Sequence, residues 1–315
     1  MGLERGPCLF IDMSDLQGLR SLYSQTAPFY EQHVIPVFAP LAHDLADWII
    51  RCAVARQNYN LYDPFDLDDK VTPQSQRSLS RLRAVDIGTG TGLLARILAP
   101  SLGTMVGIDL SPAMLKIAGA NVPGNVHLIQ GDIHHLPLRP GSMQLAVSSF
   151  GLNASTPKIS LRELAALLPR GSGILAFQEW SVEDDCSRTL DETLREHEPA
   201  QAPELDDALS AFFDAPKPWY DQLQDTEDYY ELLKQVGFDL VWVKEGAFMA
   251  VHLPSIEPFI KYRMAWPGRR LALEAMTNAE RSDFEVDLGT RLKPFVNEDG
   301  SFDWKPMLFR VLATI

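Results

Sequence analysis

The run Val85-Asp86-Ile87-Gly88-Thr89-Gly90-Thr91-Gly92 limits the folds open to this chain more sharply than its length or composition does. Three glycines at alternate positions follow a short apolar segment and open a helical pattern. Glycine carries no Cβ, so a loop built this way lets its backbone come close to a ligand at the start of a helix. Two loops of this kind compete. A dinucleotide loop of pattern G-x-G-x-x-G, begun at Gly88 and Gly90, needs a third glycine where the chain has Leu93; the spacing here is G-x-G-x-G.

Around that run the chain alternates between short apolar segments and helical patterns. Residues 84–87, 104–108, 126–129, 144–149 and 173–179 read as strands, with helices at 92–99, 112–120 and 157–168. Ser111-Pro112 and Thr156-Pro157 each set a hydroxyl cap before a first-turn proline. This rhythm predicts a parallel sheet with helices on both faces. It resumes with a helix at 226–236 closed by Gly237, a strand at 238–244 and a last strand at 307–313.

The flanks differ in texture. Residues 14–55 read as helical, with Val37, Leu41, Leu45, Trp48, Ile49 and Cys52 on one face, and Pro28, Pro36 and Pro40 breaking the start into short pieces. Residues 57–80 form a polar connector. Residues 181–228 carry 15 Asp and Glu against Arg188, Arg195 and Lys217, and read as an acidic helical insertion with a solvated face. A second insertion is rich in aromatic residues. The expected division is a lid and connector at 1–80, a core at 81–180, caps at 181–225 and 247–304, and the core continued at 226–246 and 305–315.

Composition removes several function classes. The 315 residues carry 42 Asp and Glu against 28 Lys and Arg, a net charge of -14, which argues against nucleic acid as a partner. Cys8, Cys52 and Cys186 are few and scattered, as in a reduced compartment, and no CxxC or HExxH spacing suggests a metal. No signal core and no run of 18 apolar residues stand out, so the expectation is a cytoplasmic protein off the membrane, monomeric or homodimeric.

Two further strand ends narrow the choice. Val106-Gly107-Ile108-Asp109 places a carboxylate about 20 residues past the glycines, where it can accept hydrogen bonds from ribose hydroxyls. Gln130-Gly131-Asp132-Ile133 ends the third strand with another. Together with GIDLSPAMLKIA, GDIHHLPL, SSFGLN and RELAALLPRGSGIL, these motifs make residues 82–180 resemble class I S-adenosylmethionine-dependent methyltransferases of the ubiquinone/menaquinone-biosynthesis type, methyltransferase type 11. Tyr23, Ala27 and Tyr30 ahead of the first strand extend the likeness.

The resemblance implies an α/β fold: a Rossmann-like, doubly wound, seven-stranded sheet with its last strand antiparallel, here capped by the N-terminal helices and the insertions. It implies that Gly88, Thr89 and Gly90 line the methionine moiety of S-adenosylmethionine, with Asp86 near its amino group. Asp109 would hold the ribose, Leu110 and Met114 would pack on adenine, and Asp132 and Ile133 would bind its edge. Ser149 would lie beside the sulfonium, and Tyr23 and Tyr30 would close the pocket. Arg170-Gly171-Ser172-Gly173 departs from the family's Pro-Gly-Gly turn, and the insertions are larger than the quinone enzymes carry, so quinone methylation does not follow from the fold.

The expected activity is methyl transfer to a small aromatic or apolar molecule, releasing S-adenosylhomocysteine, with the acceptor atom open between O, N and C. If a base is needed, Glu179 and His252 are the catalytic candidates, with His134 and His135 on a loop that reads as solvated. Ser148-Ser149-Phe150-Gly151 lacks the (Asn/Asp)-Pro-Pro-aromatic motif of base amino-methyltransferases, and no Pro-Cys nucleophile stands there. Trp219, Tyr220, Tyr229, Tyr230, Phe248, Met249, Phe259, Tyr262, Met264 and Trp266 could line a cap over a flat acceptor or form the cap's own core. The alternatives are an NAD(P)-dependent oxidoreductase and a non-catalytic protein that binds the same cofactor.

Overall fold

The computed structural model describes residues 13–58, 63–67, 79–199 and 217–315. Seven strands form one sheet in the order β3-β2-β1-β4-β5-β9-β6. They are β1 (Arg83–Ile87), β2 (Thr104–Asp109), β3 (Val126–Gln130), β4 (Leu145–Ser149), β5 (Ile174–Trp180), β6 (Leu240–Gly246) and β9 (Leu308–Thr314). β1 to β5 pair in parallel, and β9 runs antiparallel between β5 and β6, as expected of the reversed last strand. β7 (Val251–Leu253) and β8 (Phe302–Trp304) make a separate antiparallel pair.

Burial follows position in the sheet. β4, β5 and β9 are buried almost throughout, because helices cover both faces of the sheet's centre. The edge strands β3 and β6 are only partly buried. The strand order turns back between β1 and β4, so the carboxyl ends of those two strands open a crevice.

The helices differ from expectation in three places. The prolines do not cut the N-terminal region into short pieces: α1 (Met13–Phe29) continues through a π-helical turn, Tyr30–Val34, into α2 (Ile35–Asn58). Ile35 N–H reaches back to Tyr30 O, and this wider turn absorbs the break ahead of Pro36, which falls in the first turn of α2 where a missing N–H costs least. Along the core follow α3 (Leu93–Leu98), α4 (Pro112–Asn121) and α5 (Pro157–Leu167). Ser111 caps α4 by accepting from Met114 N–H, but the Thr156 hydroxyl does not cap α5. Third, residue 238 belongs to a turn rather than a strand: Gly237 closes its helix at φ 110°, and β6 begins at Leu240.

The insertions pack on each other. The first holds α6 (Asp185–Glu196) and α7 (Pro218–Gln222), after which α8 (Thr226–Val236) returns to the sheet. The second holds α9 (Glu257–Met264), α10 (Pro267–Ala275) and α11 (Asn278–Leu292). The acidic face of α6 is not simply solvated. Asp191 pairs with Arg263 and, at 2.6 Å, with Arg269, while Glu196 pairs with Arg291 at 2.6 Å, so arginines of the second insertion answer acids of the first. Leu190, Phe259, Tyr262, Phe284, Phe302 and Trp304 join Phe38 and Leu41 of α2 in one apolar cluster. Trp219 and Tyr229 instead pack under the sheet against Phe177, and Tyr229 meets Phe309 at 4.8 Å. Most of the aromatic residues of the insertions are therefore core.

Candidate functional site

The glycine loop sits at the crevice. Gly88, Gly90 and Gly92 all take left-handed backbone, at φ 66°, 56° and 84°. A Cβ on Gly88 would lie 2.5 Å from Gly151 Cα, so the loops after β1 and β4 meet backbone to backbone and only glycine fits. At Gly90 a Cβ would meet nothing nearer than 4.0 Å, which leaves that stretch of backbone open to the cavity.

Asp109, at the end of β2, is held from both sides. Its Oδ2 accepts from Gly90 N–H and its Oδ1 from Ser111 N–H, each at 2.8 Å. Burial pushes its carboxyl up, and the two amides pull it back. Each oxygen keeps lone pairs for hydroxyl groups of a ligand. Asp86 lies deeper: it is 1% exposed, accepts from Thr89 Oγ1 at 2.7 Å, and is pushed up to about 7 by burial.

One cavity gathers ten of the twelve residues expected to bind cofactor: Tyr23, Tyr30, Gly88, Gly90, Asp109, Leu110, Met114, Asp132, Ile133 and Ser149. The other two, Asp86 and Thr89, line a small recess behind it together with Gly88 and Ser149. Burial raises the phenols of Tyr23 and Tyr30 far above their ordinary value, so both keep their protons.

The base candidates fare differently. His134 lines the cavity, yet both its ring nitrogens are taken: Nδ1 lies 2.6 Å from Asp132 Oδ1, and Nε2 accepts from Thr156 N–H at 3.0 Å. The imidazole thus holds the backbone just ahead of α5 but does not cap the helix's first-turn amides. Desolvation works against Asp132, but the His134 hydrogen bonds outweigh it and hold the carboxyl below the usual range. His135 is 88% exposed.

Glu179 does not reach the cavity. It is fully buried, accepts from Leu152 N–H at 2.8 Å and from Asn153 Nδ2 at 2.9 Å, and is pushed up to about 8 by burial. It braces Asn153, which does line the cavity. His252 is misplaced for catalysis: it lies on β7, 67% exposed, 2.8 Å from Asp303 Oδ1 and outside the cavities. Its strand belongs to the small sheet, which the sequence did not reveal.

Three residues escaped the sequence reading. Phe150 adopts φ 61°, rare for a residue with a Cβ, and stacks on Trp180 with ring centroids 4.0 Å apart. Phe38 packs against both, at 5.4 and 5.7 Å. A second cavity of about 610 Å³, the size of an ordinary small-molecule site, shares Tyr23, Asn153, Trp180 and Trp266 with the first and extends to Tyr220 and Arg269. Of the ten aromatic and Met residues singled out in the insertions, Tyr220, Tyr262 and Trp266 line a cavity.

Residues 84–171 match the family described as "Methyltransferase domain". An uncharacterised methyltransferase of Bacillus licheniformis is 31% identical over 123 residues, 39% of this chain and 54% of that protein. A demethylmenaquinone methyltransferase of Lactobacillus johnsonii is 36% identical over 29% of this chain and 42% of its own length. For the trans-aconitate 2-methyltransferase of Deinococcus radiodurans the figures are 36%, 34% and 42%. The chain spans between about a fifth and just over half of the length of the curated relatives it matches. Among solved structures, the YcgJ protein of Bacillus subtilis covers 76% of this chain and 95% of its own at 15% identity, with a TM-score of 0.45. Over residues 84–171 the chain is similar to the methyltransferase-domain family, which supports a class I, S-adenosylmethionine-dependent methyltransferase.

Proposed function

We propose that the chain moves a methyl group from S-adenosylmethionine to a small aromatic or apolar molecule, with S-adenosylhomocysteine as the second product. The observation that carries this reading is the shared wall. Tyr23, Asn153, Trp180 and Trp266 face both the cavity around Asp109 and the larger cavity beside it, so two ligands can meet end to end there. Displacement at a methyl carbon depends chiefly on such alignment.

The residues present suit the cofactor. Bound there, it supplies an electrophilic methyl group on sulfur. Asp109 holds the ribose hydroxyls with the lone pairs that Gly90 and Ser111 leave free. Leu110 and Met114 flank the adenine, and Asp132 and Ile133 take its edge. Gly88, Thr89 and Gly90 pass along the methionine moiety, with Asp86 toward its amino group and Ser149 nearby. Tyr23 and Tyr30 close the site from α1 and the turn after it. The described parts of residues 1–80 act as lid and connector and those of residues 181–225 and 247–304 as caps, over a core made by residues 81–180, 226–246 and 305–315.

Calorimetric titration with S-adenosylmethionine, S-adenosylhomocysteine and NADH tests the reading. Micromolar binding of the two sulfur compounds, with none of NADH, is the expected result. Binding of NADH alone would overturn it and turn the glycine loop into a dinucleotide site.

A further inference from the structure

The wall between the two cavities contains an acceptor atom, Asn153 Oδ1, with no hydrogen-bond partner among the described residues. Asn153 faces both cavities. Its Nδ2 donates to Phe150 O at 3.2 Å and to Glu179 Oε2 at 2.9 Å, which uses both amide hydrogens. A carbonyl can only accept, so Phe150 O alone forces the nitrogen to that side and the oxygen to the other. Asn153 Oδ1 is then left with no hydrogen-bond partner among the described residues. It is an acceptor in a fixed orientation on a residue that lines both cavities.

The same cavities are poor in bases. His134 has both ring nitrogens engaged, Tyr23 and Tyr30 keep their protons, and Asp109 and Asp132 are tied to backbone amides. Asp191 is held by Arg263 and Arg269. A hydroxyl acceptor has to shed its proton as it is methylated; Glu198 lines the second cavity alone, and no described residue of the wall shared by the two cavities is placed to take that proton. An arylamine, neutral at ordinary pH, needs no such help, because its lone pair is already free; an alkyl amine is an ammonium ion there and would first have to lose a proton.

We infer that Asn153 Oδ1 receives an N–H of the methyl acceptor, and that the acceptor is a weakly basic primary or secondary amine, neutral at ordinary pH, on an aromatic body. This rests on the methyl-transfer reading above. The nitrogen lone pair forms the new N–C bond while the S–C bond electrons return to sulfur. Positive charge passes from sulfur to nitrogen, and the alkylated ammonium later gives a proton to water. The Asn153 hydrogen bond strengthens as the nitrogen becomes cationic, so it favours the transition state over the bound amine. Trp180, Trp266 and Tyr23 offer ring faces to the apolar body and to the growing charge.

The test uses matched probes on phenyl and naphthyl bodies: the primary arylamine, its N-methyl and N,N-dimethyl derivatives, the ring hydroxyl compound and the carboxylate. Each is incubated with the full chain and methyl-labelled S-adenosylmethionine. Label should enter primary and secondary amines alone. In Asn153→Ala, amine binding measured calorimetrically beside S-adenosylhomocysteine should weaken about tenfold, the loss of one hydrogen bond. Affinity for S-adenosylhomocysteine itself should stay within about threefold, which shows that the variant has kept its fold. Labelling of the tertiary amine, ring hydroxyl compound or carboxylate would overturn the inference. So would amine binding that ignores the substitution, or no probe being labelled by a protein that binds S-adenosylhomocysteine. If wild-type protein binds no S-adenosylhomocysteine, the methyl-transfer reading itself falls.

Discussion

Asp109 Oδ2 accepts the amide hydrogen of Gly90 at 2.8 Å, tying the end of β2 to the glycine loop 19 positions earlier. The bond makes one carboxylate both a structural brace and a ligand contact. In Asp109→Ala the loop loses its anchor and the ribose its acceptor. S-adenosylmethionine affinity should drop by about 2–3 kcal/mol, on the order of 30- to 150-fold. Calorimetry reads the loss, and an unchanged circular dichroism spectrum would assign it to the site.

Two glycines of the loop should fail differently. Gly88→Ala forces a methyl group to 2.5 Å from Gly151 Cα at φ 66°, so the two loops must part. Denaturant unfolding should show a loss of roughly 2–4 kcal/mol, from overpacking and left-handed strain together. Gly90→Ala meets open space at φ 56° and should cost only about 1 kcal/mol of stability. Its methyl group points into room the cofactor would use, so S-adenosylmethionine binding should suffer far more than folding. Equal stability losses for the two variants would contradict this account of the loop.

Glu179 makes stability depend on pH in an unusual direction. Its carboxyl is pushed from an ordinary 4.5 up to about 8, and Asp86 from 3.8 up to about 7, in both cases by burial. The folded state therefore binds more protons than the unfolded chain across that interval. The stabilising contribution is complete below about pH 4 and is lost as pH rises through 7 and 8. Each group steepens the decline by up to about 1.4 kcal/mol per pH unit. Urea midpoints from pH 5 to 8.5 should fall more steeply for wild type than for Glu179→Gln. Parallel curves would mean that the buried carboxylate keeps its charge.

Asp191 joins the two insertions by pairing with Arg263 and Arg269. Asp191→Ala leaves two half-buried guanidinium groups facing each other without their shared partner. A stability loss of roughly 1–3 kcal/mol is expected, reduced from the fully buried case by the 20% exposure of the aspartate. Protease cleavage within α6 should quicken more than cleavage in the sheet. A cap that stays protease-resistant would show that its apolar core alone holds it down.

The legible parts of this protein were local. Every strand of the large sheet was visible as an apolar run bounded by turn residues, and the glycines and strand-end acids lay at set distances along the chain. Eight of the expected cofactor contacts meet in one cavity for that reason: in a parallel sheet, residues at or just past the carboxyl ends of neighbouring strands come together whatever joins them. The proline-rich start misled, because a π turn can carry a helix past Pro36, and proline alone does not announce that remedy.

What remained hidden depends on contacts between distant segments. No local pattern says that Asp191 will answer arginines 72 and 78 positions away, or that His134 will spend both nitrogens on Asp132 and Thr156. His252 looked like a candidate until β7 paired with β8 and turned it to solvent. Asn153 gave no signal, because its use lies in the orientation that Phe150 and Glu179 impose on its amide. Backbone motifs repeat at short range and can be read along the chain. The direction in which a side chain's last free atom points is decided by packing, and only the folded molecule supplies that.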